Sequence, residues 1–66
     1  MKNTIKVERA KMDMTQADLA ERISVSRQTI NTIEAGKYVP STVLALKIAA
    51  VFGTTVNEIF TLEEED

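Results

Sequence analysis

The chain has 66 residues, of which 44% are hydrophobic and 27% charged, with neither cysteine nor histidine. That composition is too apolar for a disordered polymer and fits one small domain, with no disulfide framework and no thiolate or imidazole metal site. A core this small is marginal, so tight helix packing or self-association has to supplement it.

Asn3 to Lys11 reads as a first helix with Ile5, Arg9 and Met12 on its inward stripe, closed by Asp13. Thr15, three residues before Asp18, supplies the oxygen that starts a second helix opening at Gln16, and Leu19, Ala20 and Ile23 line one side of it. Ser24 and Val25 alone remain before Ser26, the start signal of a third helix. So short a connection forces two helices to cross steeply, and Ala20 has to be small where they meet.

The third helix, about Arg27 to Ala35, buries Ile30 and Ile33 and leaves Arg27, Gln28, Asn31 and Thr32 outside. These side chains match base edges in a DNA major groove. Arginine forks onto guanine O6 and N7, glutamine and asparagine bracket adenine N6 and N7, and threonine offers a methyl to thymine. Thr29 is better placed for the phosphate backbone. A solvated polar face is the plain alternative, but arginine and two amides gathered at the N-terminal end of one helix favour the groove.

Gly36 ends that helix, Lys37 and Tyr38 lie in a loop closed by Pro40, and Ser41 with Thr42 opens a fourth helix to Phe52. Val43, Leu44, Leu46, Ile48, Ala49 and Val51 make it the most apolar segment, and it should run through the centre of the core. Gly53 stops it. A fifth short helix starts at Thr55, which forms a capping-box pattern with Glu58, and gathers Val56, Ile59 and Phe60. Val56, Ile59, Phe60 and Leu62 exceed what so short a helix needs for anchoring, so a homodimer contact is expected there; finishing the monomer core is the competing use. The expected fold is all-α with five helices, a domain over residues 1–62 and a disordered acidic tail over 63–66.

Net charge of −2 argues at first against a nucleic-acid partner. Four of the acids are in the tail, however, and without them eight basic residues face six acids: Glu8, Asp13, Asp18, Glu21, Glu34 and Glu58. From Arg22 to Asn57 the basic residues Arg22, Arg27, Lys37 and Lys47 are opposed by Glu34 alone.

The run TQADLAERISVSRQTINTIEAGKYVPS, Thr15 to Ser41, resembles the DNA-binding core of the phage repressor and Cro superfamily, the Xre-like helix-turn-helix regulators. Nearly the whole chain is similar to the small stand-alone members, of the cytolysin-repressor type. The resemblance implies a lambda-repressor-like domain, a structural ion pair between Arg9 and Glu34, and Gln16 donating to a DNA phosphate beside Gln28. It further implies phosphate contacts from Lys37, Tyr38 and Ser41, and an antiparallel pairing of Met1–Asn3 with Thr61–Glu63. Two departures stand out. Ser24 replaces the usual glycine, and Val7 and Glu8 invert the usual order before the arginine, which either rotates the helix or puts Glu8 at a rim.

The expected function is sequence-specific binding of double-stranded DNA by a cytoplasmic homodimer, acting as a repressor on a near-palindromic operator. No cofactor, catalytic residue, membrane or small-molecule effector is expected; nothing cradles a phosphate and both glycines sit where helices stop. A helical protein-interaction module, an antitoxin or coactivator, is the competing reading.

Overall fold

A computed structural model describes residues 1–66 as five helices and two very short strands: β1 (Lys2–Asn3), α1 (Ile5–Lys11), α2 (Gln16–Arg22), α3 (Arg27–Glu34), α4 (Thr42–Val51), α5 (Val56–Ile59) and β2 (Phe60–Thr61). Side-chain oxygens start three of the helices. Thr15 and Asp18 form a reciprocal capping box on α2, Ser26 accepts from Thr29 N, and Ser41 accepts from Leu44 N. Each such cap contributes about 1 kcal/mol. The Asp18 carboxyl is held below its ordinary pKa, first by the backbone N–H of Thr15, so this cap is complete above the ordinary carboxylate range and is lost as pH falls through the lowered value.

The first four helices end alike. Asp13 (φ 53°), Ser24 (φ 60°), Gly36 (φ 75°) and Gly53 (φ 65°) are all left-handed. The next residue in each case returns its N–H to the last turn: Met14 to Arg9 O (2.9 Å), Val25 to Ala20 O (2.9 Å), Lys37 to Thr32 O (3.0 Å) and Thr54 to Ala49 O (3.0 Å). These are Schellman closures, which satisfy orphan carbonyls and reverse the chain within two residues. Glycine holds two of them without strain; Asp13 and Ser24 hold the others with a Cβ in the way.

Reversals this tight fold the apolar stripes onto one another. Ile5, Leu19, Ile30, Ile33, Ile48 and Ile59 are the fully buried large side chains, and Met14, Ala20, Ile23, Leu44, Ala49 and Phe60 complete the core. α2 packs chiefly on α3, with Ala20 buried at their crossing, and α4 packs on α5. β1 and β2 are antiparallel, Lys2 opposite Thr61 and Asn3 opposite Phe60.

The structure corrects several expectations. α1 begins at Ile5, because Asn3 is in β1 and its Oδ1 accepts from Ile5 N while its Nδ2 donates to Ile33 O at 2.9 Å. Met12, expected inside, is 44% exposed; the left-handed Asp13 reverses the chain and sends Met14 into the core instead. Glu8 takes the rim position, half-buried and paired with Lys11, while Val7 faces outward.

On α4, Val43 and Leu46 are outside, so only Leu44, Ile48 and Ala49 are buried. Ile59 and Phe60, expected at a dimer contact, belong to the monomer core, Val56 packs partly against it, and Leu62 alone stands fully clear. Phe60 is already extended as α5 ends, which starts β2 one residue earlier than expected. The acidic tail is not a loose end: Glu63 N donates to Asp66 Oδ2, and Glu63 and Asp66 both pair with the Met1 ammonium group. No helix is long and apolar enough to cross a membrane.

Replacing Ser24 with glycine should relieve about 1 kcal/mol of left-handed strain and raise the melting temperature by roughly 4–8 °C. Thermal unfolding checks it. Ser24 is exposed and two residues ahead of the α3 cap, so DNA selectivity should stay as it is.

Candidate nucleic-acid interface

α3 is amphipathic, and its buried Ile30 and Ile33 decide which side chains face outward. Arg27, Gln28 and Asn31 are exposed, and together with Gln16 from the first turn of α2 they line one shallow polar hollow. Arg27 also borders a second hollow with Gln16, Arg9 and Thr15. Four residues from two helices thus form one continuous polar surface. It is entirely hydrophilic, the character expected of a face that meets base edges and water.

Thr29 and Thr32 flank this surface and are half-buried. The Thr29 hydroxyl meets Ser26 Oγ at 2.9 Å, so it belongs partly to the cap. Thr32 Oγ1 donates back to the helix, 3.0 Å from both Gln28 O and Thr29 O, which leaves its methyl as the group available to a base. Lys37, Tyr38 and Ser41 are exposed on the α3–α4 connection and are not part of the hollow. Ser41 Oγ accepts from Leu44 N, which still leaves its hydroxyl proton free to donate.

Beneath the surface lies the ion pair of Arg9 and Glu34. Arg9 Nε is 2.7 Å from Glu34 Oε2 and Nη2 is 3.0 Å from Oε1, while Nη1 donates to Met14 O at 3.0 Å. The side chains are only 14% and 9% exposed. Hydrogen bonding to Glu34 raises the Arg9 pKa further, so the guanidinium stays charged at any pH the fold survives. With Glu34 neutralised by this fork, Arg27 keeps its positive charge unopposed at the N-terminal end of α3.

Gln16 lines the same hollow as Gln28. Its Nε2 donates to Asn31 Oδ1 (3.4 Å) and to Glu34 Oε1 (3.3 Å), and no bond joins it to Gln28. Both contacts are made by the same amide nitrogen and tie α2 to α3. The link from Gln16 to Glu34 went unseen in the sequence, where the only trace is that Asn31 and Glu34 are one helical turn apart on the side facing α2. Asn3, which ties β1 to the end of α3 through Ile33 O, was equally unforeseen.

Known proteins resemble this chain in sequence and in fold. The profile of the helix-turn-helix family matches residues 5–59. An uncharacterized HTH-type transcriptional regulator of Methanocaldococcus jannaschii is 52% identical over 66 residues, covering 100% of both chains. The uncharacterized HTH-type transcriptional regulator YgzD of Bacillus subtilis is 47% identical, again over 100% of both. Among solved structures, the crystal structure of FeII HppE in complex with substrate matches with a TM-score of 0.74 at 25% identity. That match covers 82% of this chain and 32% of the other, so the likeness is to about a third of a longer protein.

Removing either member of the ion pair leaves the other largely buried without a partner. Arg9→Ala and Glu34→Ala should each lower stability by about 3 kcal/mol, and the double variant by clearly less than their sum. Denaturant unfolding of the three variants checks this; strict additivity would mean the two charges act separately.

Proposed function

The chain belongs to the helix-turn-helix family, and from that membership we propose that it is a transcriptional regulator that binds double-stranded DNA with α3 in the major groove. The observation that carries the proposal is the exposed edge of Arg27, Gln28 and Asn31, held on a helix whose opposite face is buried. Arg27 would fork onto guanine, Gln28 would bracket adenine, Asn31 would take a neighbouring base, and Thr32 would offer its methyl to thymine. Lys37, Tyr38, Ser41 and Thr29 would fix the register on phosphates and carry no sequence information.

We further propose that the protein acts as a homodimer and a repressor on a near-palindromic operator. Two copies would set their recognition helices about 34 Å apart, one turn of the duplex. With Ile59 and Phe60 committed to the core, the contact falls to the apolar residues that α4 leaves outside. Leu46 is 57% exposed, Val43 lies one turn before it, and Leu46, Ala50 and Val56 border a shallow apolar groove. A two-fold axis across that groove places Leu46 of each copy against the groove of the other. Repression follows by occlusion, because a compact domain seated on its operator covers the site to which a polymerase would bind.

Selection from a random duplex pool should return one defined sequence. Arg27→Ala and Gln28→Ala should each relax one position, by about 1–3 kcal/mol of discrimination, whereas Lys37→Ala should weaken binding to all sequences and lower the salt slope by about 1. Operator preference that survived both of the first two changes would refute the assignment. Sedimentation should show a dimer on the operator, and Leu46→Glu should leave a folded monomer; a wild-type chain that stays monomeric at high concentration, with and without DNA, would remove the dimer.

A further inference from the structure

We infer that Gln16 is a positioning residue which fixes the hydrogen-bond polarity of Asn31, so that Asn31 meets its base as a donor. The inference rests on the proposed DNA reading of α3 and goes beyond it by specifying which kind of base edge Asn31 can accept.

The argument starts from Glu34. As the anion of an ion pair it can only accept, and Oε1 faces both Arg9 Nη2 and Gln16 Nε2. An amide placed against that oxygen has to present its nitrogen, so the orientation of Gln16 is not free. The same nitrogen lies 3.4 Å from Asn31, and as a donor it requires an acceptor there. Asn31 therefore turns Oδ1 toward α2, and Nδ2 is left as the group facing outward from its exposed position. The sign of a buried charge is carried through two amides to the surface.

Two consequences follow. The base under Asn31 should show an acceptor in the groove, guanine through O6 or N7, thymine through O4 or adenine through N7. The adenine bracket by N6 and N7 would need the carbonyl turned outward beside the donor and is not available, whereas cytosine offers only a donor and is excluded altogether. In addition, with its amide nitrogen engaged by Glu34 and Asn31, Gln16 should contribute to selectivity and little to general affinity.

The test is selection from a random duplex pool with the full chain, its Asn31→Ala variant and its Gln16→Met variant, accompanied by binding to fixed duplexes. Methionine keeps the length of Gln16 and removes the donor without touching the Arg9–Glu34 pair; a thermal melt confirms folding. Asn31→Ala identifies the operator position it reads. The wild type should disfavour cytosine there by about three- to tenfold, the worth of one hydrogen bond. Gln16→Met should lose that preference at the same position, keep every other position, and bind general-sequence DNA within about twofold of the wild type. Asn31→Asp, which exchanges the outward donor for an acceptor at equal size, should move the preference to cytosine, and it provides a second readout should Gln16→Met fold poorly.

Cytosine at the Asn31 position in the wild type would overturn the inference. So would a Gln16→Met variant that weakens binding to all sequences alike and leaves base preference unchanged, the behaviour of a phosphate contact. A wild-type chain that selects no sequence at all would instead overturn the DNA reading itself, a failure distinct from the other two.

Discussion

The fork between Arg9 and Glu34 is the constraint on which the rest of the molecule depends. It joins α1 to the last turn of α3, and through Arg9 Nη1 and Met14 O it also fixes the turn that introduces α2. Three helices are thereby held at one point by one guanidinium. In a chain with few buried large side chains, packing alone gives little resistance to small rotations of one helix against another. Directional bonds between largely sequestered charges remove that freedom, since each rotation would leave an unsatisfied charge. The same carboxylate orients Gln16, so the element that makes the fold rigid also touches the surface that is offered to DNA.

The second organising feature is the repetition of one chain reversal. Four successive helices end in a left-handed residue with a Schellman closure, and most of the next caps follow within a few residues. That economy lets five helices and a strand pairing fit in 66 residues. It also explains why two reversals tolerate Asp13 and Ser24. Each turn is over-determined by a hydrogen-bonded closure and by the buried residue beyond it, Met14 in one case and the partly buried Val25 in the other. A penalty of about 1 kcal/mol per site is small against what the reversal secures.

Much of this was legible in the residues because capping and periodicity are local. Thr15, Ser26 and Ser41 announce helix starts whatever the rest of the chain does, and Ile30 with Ile33 orients α3 without reference to any partner. What escaped the sequence depends on distant elements. Asn3 reads as the beginning of a helix until Ile33 O is known to lie above it. Ile59 and Phe60 look surplus to a four-residue helix until they are seen to belong to the shared core, with Phe60 paired to Asn3 of β1. Val43 and Leu46 look central because periodicity cannot tell which of two apolar faces on α4 the other helices will cover. Gln16 shows the same limit in a subtler form. Its residue type and position were legible, but the direction of its hydrogen bonds depends on a carboxylate eighteen residues later.

The acidity of the chain is compatible with a DNA-facing α3 once distance is considered. Glu63 lies beside β1 and the C-terminal end of α3, near Gly36, and with Asp66 it is engaged with the Met1 ammonium group. Arg27 opens the other end of α3, and at about 1.5 Å per residue the helix separates the two ends by roughly 10 Å. That is about one Debye length at physiological ionic strength, so the tail's charge is largely screened where Arg27 would meet a phosphate-lined groove. Glu34, the one acid within the recognition helix, is matched by Arg9. The net charge of the chain therefore describes its solubility, whereas the field at the α3 N-terminus is set by Arg27, by the helix's own unsatisfied N–H groups and by the neutral amides around them.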